Sequence, residues 1–283
     1  MSVLVIGASS QIGRFLLPRL EAAGHTWLGL SRTPPPDDAR WLSGRVPDMM
    51  PPLPPVKAIL STGPLDLLAQ WLSHTRLEGT PHIIATSSMS AESKRDSDVP
   101  YERELAARLR NAETALSATC ASRGMPWTLF RPTLVYGAGM DRSITPIVHA
   151  AIRRHIFPLP AGRGLRQPVH ADDIAAAFVA ALAMPQARGK TFDMGGGERL
   201  TAAAMFRRAR RSAGVLTIPA PVPRFVLELA SALRPQLRGA LRRLDEDLTA
   251  DNTALEALLG IQARPFRPEP ATWRPLGDVN ASS

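Results

Sequence analysis

The sequence predicts an α/β protein built on a doubly wound parallel sheet, with a small, mostly helical lobe in its carboxyl-terminal half. Three observations predict this fold. Short apolar runs typical of buried strands alternate with helical patterns, a glycine-rich turn follows the first run, and helical patterns dominate after about residue 200. We expect residues 1–132 to form most of the sheet and residues 133–283 to form mainly the lobe. The last sheet elements, at about 165–195, are expected to return to the core.

The first strand, turn and helix carry the strongest signal. Residues 3–6 are an unbroken apolar run, and Gly7 supplies a tight turn after it. Apolar residues then recur at helical spacing over 11–23, and Gly24 ends the run. The unpaired N–H groups at the start of such a helix attract an anion. A dinucleotide phosphate site is therefore expected here, and its residues are Gly7, Ser9, Ser10, Gln11, Ile12 and Gly13.

Two further features refine this expectation. The second strand, at 26–30, leads into Ser31 and Arg32, where dinucleotide-binding folds meet the adenosine ribose. A guanidinium and a hydroxyl suit a 2′-phosphate, so we expect NADP, with NAD as the alternative. Ser10 stands where the usual spacing has its second glycine. Binding is therefore expected to be retained but weakened, with the Ser10 hydroxyl able to donate to a phosphate. A simple turn and helix cap is the competing interpretation of the loop.

The remaining elements follow the same alternation. Pro132 is expected to break the strand that precedes it. A proline- and glycine-rich loop is expected at 157–164, and the proline-rich tail after Pro265 is expected to end in mobile polar residues. The expected strands lie at about 40–46, 58–60, 82–86 and 127–130, and the expected helices at 65–77, 101–121, 143–154, from 172 onwards, 201–213, 224–233 and 241–259.

Composition narrows the function classes. The 283 residues are 45% hydrophobic, which is enough for one large core, and no apolar run is long enough to cross a membrane. The net charge of +9 comes from dispersed arginines, so a solvated surface is favoured over nucleic-acid binding. The single cysteine, Cys120, is expected to be a buried small side chain, and no Cys/His cluster has metal-ligand spacing. No leader pattern is evident, so we expect a cytoplasmic protein without a metal or a membrane partner.

Five motifs, in this order, resemble a known family. They are the loop from Gly7 to Gly13, the run at 86–88, and three segments at 131–137, 169–175 and 191–196, which read RPTLVYG, VHADDIA and TFDMGG. With them the chain resembles the extended or atypical short-chain dehydrogenase/reductase proteins, the NAD-dependent epimerase/dehydratase group that includes nucleotide-sugar epimerases. The resemblance runs almost end to end and implies a Rossmann-type NAD(P)-binding core in residues 1–132.

The resemblance also implies a catalytic set. Family members use a Ser or Thr after the fifth strand, a Tyr that transfers a proton, and a Lys four residues later that lowers the pKa of that Tyr. Ser87 or Ser88 fits the first role, although the pair can also cap strand ends, and Tyr101 is the candidate for the second. The lysine is missing, because Leu105 follows Tyr101 by four residues. Setting the register by Glu113 instead puts Leu105 and Leu109 at the two positions.

A phenol without a neighbouring cation is a poor base at neutral pH. Arg103 or Arg108 can supply positive charge, but an arginine does not relay protons readily. The competing interpretation is that Tyr101 only begins a helix. We therefore expect cofactor binding more firmly than standard redox chemistry.

On the substrate side, the resemblance places an arginine, Arg166, on a substrate diphosphate, which a guanidinium fork suits. A surface arginine is the alternative. Tyr136 is expected to shape the substrate loop, and Arg131 and Pro132 to line the nicotinamide site. Asp172 or Asp173 is expected to cap the next helix. His170 is expected to be packed rather than catalytic.

The leading hypothesis is an NADP(H)-dependent enzyme that acts by hydride transfer on an anionic or nucleotide-linked carbonyl or sugar substrate. The alternative is a non-catalytic NADP(H)-binding sensor or assembly protein that has lost the Tyr and Lys pair. A basic nucleic-acid binder is a third hypothesis, which the scattered arginines disfavour. A homodimer is expected only by analogy with family members that pair through helices.

Overall fold

The computed structural model describes residues 2–223 and 244–275. The chain divides into two compact units. The first unit comprises Met1–Pro132, Asp172–Met194 and Asp251–Gln262, and the second comprises Thr133–Ala171, Gly195–Ala250 and Ala263–Ser283. Within the described ranges, no helix is both long enough and apolar enough to cross a bilayer.

The first unit contains a seven-stranded sheet in which every neighbouring pair is parallel. Its strands are β1 (Ser2–Ile6), β2 (Trp27–Ser31), β3 (Trp41–Ser43), β4 (Val56–Ser61), β5 (His82–Thr86), β6 (Trp127–Pro132) and β11 (Lys190–Met194). The spatial order is β11-β6-β5-β4-β1-β2-β3. The order reverses at β1, as in a doubly wound fold, so the predicted fold class is confirmed.

The helices of the first unit are α1 (Gly13–Ala22), α2 (Leu65–His74), α3 (Ser90–Ser93), α4 (Pro100–Ser122), α6 (Ala171–Ala183, which begins one residue before the first unit resumes) and α8 (Thr253–Leu259). Gly24 follows α1 with φ +74° and ends it as predicted. Segment 33–55 holds no helix and only the short strand β3, also as expected. The middle strands are buried on both faces, which explains their unbroken apolar runs.

Pro132 does not break its strand, contrary to the prediction. It is the last residue of β6 and pairs with Met194 of β11. A proline lacks only the N–H donor, and its carbonyl still accepts a hydrogen bond, here from the Met89 amide at 3.0 Å. A proline at a strand end is therefore tolerated because only one donor is lost.

The described part of the second unit contains two helices longer than one turn and three two-stranded ladders. Its helices are α5 (Thr145–Arg154) and α7 (Ala202–Arg211), and its strands are β7 (Val135–Tyr136), β8 (Ile156–Pro160), β9 (Leu165–Arg166), β10 (Val169–His170), β12 (Leu200–Thr201) and β13 (Ile218–Val222). The ladders pair β10 with β7, β12 with β9, and β13 with β8. Its core includes Tyr136, Phe157, Phe266 and Trp273.

Two expectations for this half of the chain need correction. The expected loop at 157–164 begins as strand β8, because β13 pairs with it in parallel. Of the described part of the expected helix at 241–259, residues 244–252 form turns and a bridge, and only Thr253–Leu259 is helical. The Asp251 carboxylate accepts the Thr253 amide at the start of this helix. The described part of the tail runs to residue 275 and includes a 3₁₀ turn at Pro270–Trp273, in which Trp273 is 1% exposed. The expected helix at 224–233 and the end of the tail lie outside the described residues.

Candidate functional site

The loop between β1 and α1 depends on glycine at both of its ends. Gly7 has φ +81°, and a Cβ there would lie 2.7 Å from the Thr62 hydroxyl oxygen. A Cβ on Gly13 would lie 2.3 Å from the Ala8 carbonyl oxygen, which cannot rotate away. The turn therefore requires a left-handed residue at Gly7 and close backbone packing at Gly13.

This loop leaves hydrogen-bonding groups without a protein partner. Among the described residues, the Gln11 and Ile12 amides have no acceptor, and both stand at the start of α1. The Gln11 side-chain oxygen is buried and has no donor in the same part of the chain. Buried polar atoms are rarely left unpaired without a reason. Free amides at a helix start and the two glycines fit the pyrophosphate of a dinucleotide.

Ser10 is bound to the protein through its side chain. Its hydroxyl oxygen accepts the Gly13 amide at 3.1 Å and lies 2.8 Å from the Thr62 hydroxyl oxygen. Thr62 follows β4, and its hydroxyl also lies 3.1 Å from the Gly7 carbonyl oxygen. Thr62 was not singled out from the sequence. A hydroxyl residue directly after a buried strand was the only signal that pointed to it.

The carboxyl end of β2 carries Ser31 and Arg32, which have different surroundings. Ser31 is buried, and its hydroxyl accepts the Thr33 amide at 3.2 Å and lies 3.1 Å from the Ser9 hydroxyl. Arg32 is exposed and makes no ion pair or hydrogen bond with any described residue. Its guanidinium is therefore available to an anion from solution.

At the end of β5, Ser87 belongs to a charged network. Its hydroxyl donates to the Glu113 carboxylate on α4, which also accepts the Arg131 Nε at 2.9 Å. Arg131 lies 3.0 Å from Glu92 and 3.8 Å from Asp193. From the sequence, Glu113 indicated only how the helix aligns with the family's Tyr and Lys positions. The structure brings Ser87 and Arg131 together through it.

Charge and burial in this network shift two pKa values. The hydrogen bond to Glu113 is the largest cause that raises the pKa of Arg131 above its ordinary value. Burial raises the pKa of Asp193, and the Arg131 charge opposes that shift. Arg131 thus stays charged and holds the Glu113 carboxylate as an acceptor. A carboxylate only accepts, so the Ser87 proton is committed to it.

Ser88 is arranged differently from Ser87. Its hydroxyl oxygen accepts the Ser90 amide at 3.2 Å, and no described residue accepts its proton. Both serines are partly exposed. Ser88 is therefore the member of the predicted pair that keeps a proton to donate.

Tyr101 lies in the first turn of α4 with 68% of its surface exposed. Leu105, four residues later, is partly buried. The two arginines considered as substitutes for a lysine are engaged elsewhere, since Arg103 donates to the Ser97 carbonyl at 2.7 Å and Arg108 lies 3.7 Å from Asp66. Neither arginine is therefore free to take the place of the missing lysine.

The second unit holds the two residues predicted to bind substrate. Tyr136 is 2% exposed, and its ring packs edge-on against His170 and Phe266 at centroid distances of 5.0 and 4.8 Å. Arg166 is 6% exposed and donates to the carbonyls of Leu165 and Glu246 at 2.8 and 2.6 Å. The structure gives both side chains packing partners, and a substrate role for either stays a prediction. His170 is packed, as expected.

The helix-cap prediction for Asp172 and Asp173 is wrong. Helix α6 begins at Ala171, so both carboxylates lie in its first turn. A negative charge there interacts favourably with the positive end of the helix dipole and stabilises the helix. Asp172 also forms a two-point ion pair with Arg19, with Nη2 and Oδ2 2.8 Å apart.

Cys120 is fully buried, and burial raises the pKa of its thiol to about 11, which makes it unreactive. Across the described ranges no cluster of three or more His, Cys, Asp or Glu could hold a metal.

Comparison with known structures finds the same fold in nucleotide-sugar enzymes. MoeE5 in complex with UDP-glucuronic acid and NAD superposes with a TM-score of 0.68 at 18% identity, covering 96% of this chain and 97% of that one. A UDP-N-acetylglucosamine 4-epimerase from Bacillus cereus gives 0.67 at 14% identity, with 96% and 94% covered. A UDP-glucose 4-epimerase with UDP-glucose from Thermotoga maritima gives 0.66 at 15% identity, with 96% and 97% covered. At these identities the likeness shows the fold alone.

No curated protein matches this sequence. Residues 86–195 match the model of the NAD dependent epimerase/dehydratase family, and this segment includes Ser87, Ser88, Tyr101 and Arg131. The sequence motifs and the fold therefore agree. The resemblance predicted from the sequence, to the NAD-dependent epimerase/dehydratase group, is thus confirmed over residues 86–195.

Proposed function

We propose that the chain binds a nicotinamide dinucleotide and that its pyrophosphate lies against the Gln11 and Ile12 amides. The observation that carries the proposal is the pair of unpartnered amides at the start of α1, in a loop that demands glycine at Gly7 and Gly13. Backbone donors at a helix start favour a bound anion by position and by dipole. The NAD in the solved structure of MoeE5 supports the same ligand class.

We infer further that the dinucleotide is NADP(H). Arg32 is the residue that supports this choice, because it is exposed at the end of β2 without an ion-pair partner in the described chain. A guanidinium pairs with a phosphate through two parallel hydrogen bonds. A free 2′-hydroxyl carries no charge to pair with the guanidinium, so the preference for NADP(H) should depend mainly on Arg32.

The reaction we propose is hydride transfer on an anionic or nucleotide-linked carbonyl or sugar substrate. The bound dinucleotide supplies the hydride chemistry. Ser88 has the free proton with which to hold a substrate oxygen, whereas the Ser87 proton is used by Glu113. UDP-sugars bound to solved structures of the same fold support the substrate class. Arg166 remains the candidate for a substrate diphosphate.

The test of the cofactor is a paired titration with NADPH and NADH. Arg32→Ala should weaken NADPH binding by about tenfold or more and change NADH binding by less than about twofold, since one charge-assisted contact is lost. Arg76→Ala, an exposed arginine after α2, is the matched control and should change neither affinity. Equal affinity for both nucleotides, unaltered by Arg32→Ala, would refute the NADP assignment.

The second candidate is a dinucleotide-binding sensor or assembly protein without turnover. Its support is the exposed Tyr101 with Leu105 in place of the lysine, and with Arg103 and Arg108 engaged by other groups. A panel of sugar nucleotides and carbonyl compounds, followed by NADPH absorbance, separates the two candidates. Tight cofactor binding with no turnover on any compound would favour the sensor.

A further inference from the structure

The glycine loop of this chain contains a serine at its middle position that the structure ties down. Ser10 contacts two groups through its hydroxyl oxygen, the Gly13 amide at 3.1 Å and the Thr62 hydroxyl at 2.8 Å. Thr62 in turn lies 3.1 Å from the Gly7 carbonyl oxygen and 3.3 Å from the Ile6 carbonyl oxygen. The threonine therefore contacts the beginning of the loop and its middle.

These contacts hold the Ser10 side chain at two points. Its hydroxyl oxygen accepts the Gly13 amide, and in the hydrogen bond with Thr62 either hydroxyl can be the donor. The Thr62 hydroxyl can also donate to the carbonyl oxygens of Gly7 and Ile6. Whichever hydroxyl donates, the contact with Thr62 anchors the Ser10 side chain to the protein. Donation from Ser10 to a phosphate stays a prediction.

We propose that Thr62 is a positioning residue for dinucleotide binding, because it holds the Ser10 side chain against the protein. This inference rests on the proposed function. A side chain at position 10 would otherwise compete with the phosphate for the space in front of the Gln11 and Ile12 amides. With Ser10 tied to Thr62 and Gly13, the loop accepts a serine where the usual spacing has glycine.

The proposal makes a specific prediction for paired variants. Thr62→Val keeps the shape of the side chain but removes the hydroxyl, so the Ser10 hydroxyl loses one of its two contacts and is held less tightly. Thr62→Ser keeps the hydroxyl. Ser10→Gly removes the side chain that needs holding, and it should therefore rescue Thr62→Val. A threonine that only stabilised the fold would not be rescued by a change at Ser10.

The experiment is a calorimetric titration of the full chain with NADPH for five proteins: wild type, Thr62→Val, Thr62→Ser, Ser10→Gly and the double variant of Ser10→Gly with Thr62→Val. We expect Thr62→Val to weaken binding about tenfold, the size of one lost hydrogen bond that also frees a competing group. Thr62→Ser should bind within about threefold of wild type, and the double variant should bind within about threefold of Ser10→Gly. Thr62→Val with wild-type affinity, or a double variant as weak as Thr62→Val, would overturn the proposal.

A second measurement does not need the ligand. Amide hydrogen exchange at Gly13 reports its bond to the Ser10 hydroxyl, and it should rise about tenfold in Thr62→Val and stay near wild type in Thr62→Ser. Unchanged exchange at Gly13 in Thr62→Val would refute the proposal that Thr62 holds the Ser10 side chain in place. If wild type binds no nicotinamide nucleotide, the proposed function fails, and the role of Thr62 in binding fails with it, whatever the exchange shows.

Discussion

The loop after β1 and the segment from the end of β5 into α4 both belong to the first unit. They differ in how much of the family's functional site each one keeps. The loop presents amides, and it keeps them free although Ser10 replaces a glycine. The segment presents side chains, and it has Leu105 where the family resemblance requires a lysine.

The difference has a physical reason. A backbone amide is the same group in every residue, so an anion site made of amides needs only the correct turn. Proton transfer needs a side chain with a suitable pKa and a charged neighbour, and one substitution removes that neighbour. A site made of backbone amides therefore tolerates side-chain substitutions that a proton-transfer site does not.

The largest expected effect tests the backbone side of the comparison. In Gly13→Ala the added Cβ would meet the Ala8 carbonyl oxygen at 2.3 Å, so the loop must move. We expect NADPH affinity to fall by about a hundredfold or more, the loss of roughly two amide contacts. Gly24→Ala, at the other end of α1, is the matched control. Its φ of +74° should cost about 1 kcal/mol of stability but leave the dissociation constant unchanged. Equal binding in wild type and Gly13→Ala would contradict a loop built on close packing.

The next effect tests the side-chain side. Glu113 is 8% exposed and pairs with Arg131, and Glu113→Gln removes its charge. Because Arg131 then loses this ion pair, the free energy of unfolding should fall by about 3 kcal/mol in urea titrations. Glu104→Gln, at an exposed position on the same helix, should change it by less than about 0.5 kcal/mol. Similar losses in both variants would mean that the network is not what stabilises this region.

A third effect comes from the amino end of β5. His82 is buried, and burial, helped by the Arg188 charge, lowers its pKa from 6.5 to about 4. Below pH 6.5 the unfolded chain takes up a proton that the folded chain refuses, so this stability is lost between pH 6.5 and about 4. The loss should reach about 3 kcal/mol at most.

Unfolding in urea at pH 7.5 and 4.5 measures this loss. His82→Gln should show a smaller difference between the two pH values than wild type. The same difference in both proteins would exclude His82 as its source. The result also sharpens the comparison, because it separates a pH effect on the fold from one on the chemistry near Ser87.

The smallest expected effect concerns Tyr101. Because the phenol is 68% exposed and Leu105 stands where the family resemblance requires a lysine, Tyr101→Phe should alter NADPH affinity and any turnover by less than about twofold. Ser88→Ala is the matched variant at the end of β5 and should reduce turnover more. A tenfold loss of turnover in Tyr101→Phe would show that the tyrosine acts after all, and would remove the contrast between the two regions.

Much of the first unit could be predicted from the sequence, because a buried parallel strand gives an unbroken apolar run and a helix gives a 3.6-residue period. The predicted strand at 82–86 has the observed bounds, and the apolar run at 3–6 lies within β1. Strand β8 was missed because its prolines indicate a loop, and only its distant partner β13 makes it a strand.

The candidate site shows the same limit. The sequence indicated the glycine loop, because strand, turn and helix are neighbours in the chain. It did not indicate Thr62, or the link from Ser87 through Glu113 to Arg131, since these contacts join residues far apart in sequence. The spacing of residues along the sequence does not show which distant side chains will form hydrogen bonds in the folded protein.

The edge strand β11 also affects how the protein is made. It pairs with β6, although residues 133–189 separate the two in the chain. Phe130 on β6 stacks on Phe178 and Phe192, both of which emerge later from the ribosome. During synthesis the edge of β6 therefore stays unpaired, and its apolar side chains stay exposed, until β11 has been made. Unpaired apolar strand edges bind chaperones or aggregate. A truncation at Pro132 would make that transient state permanent.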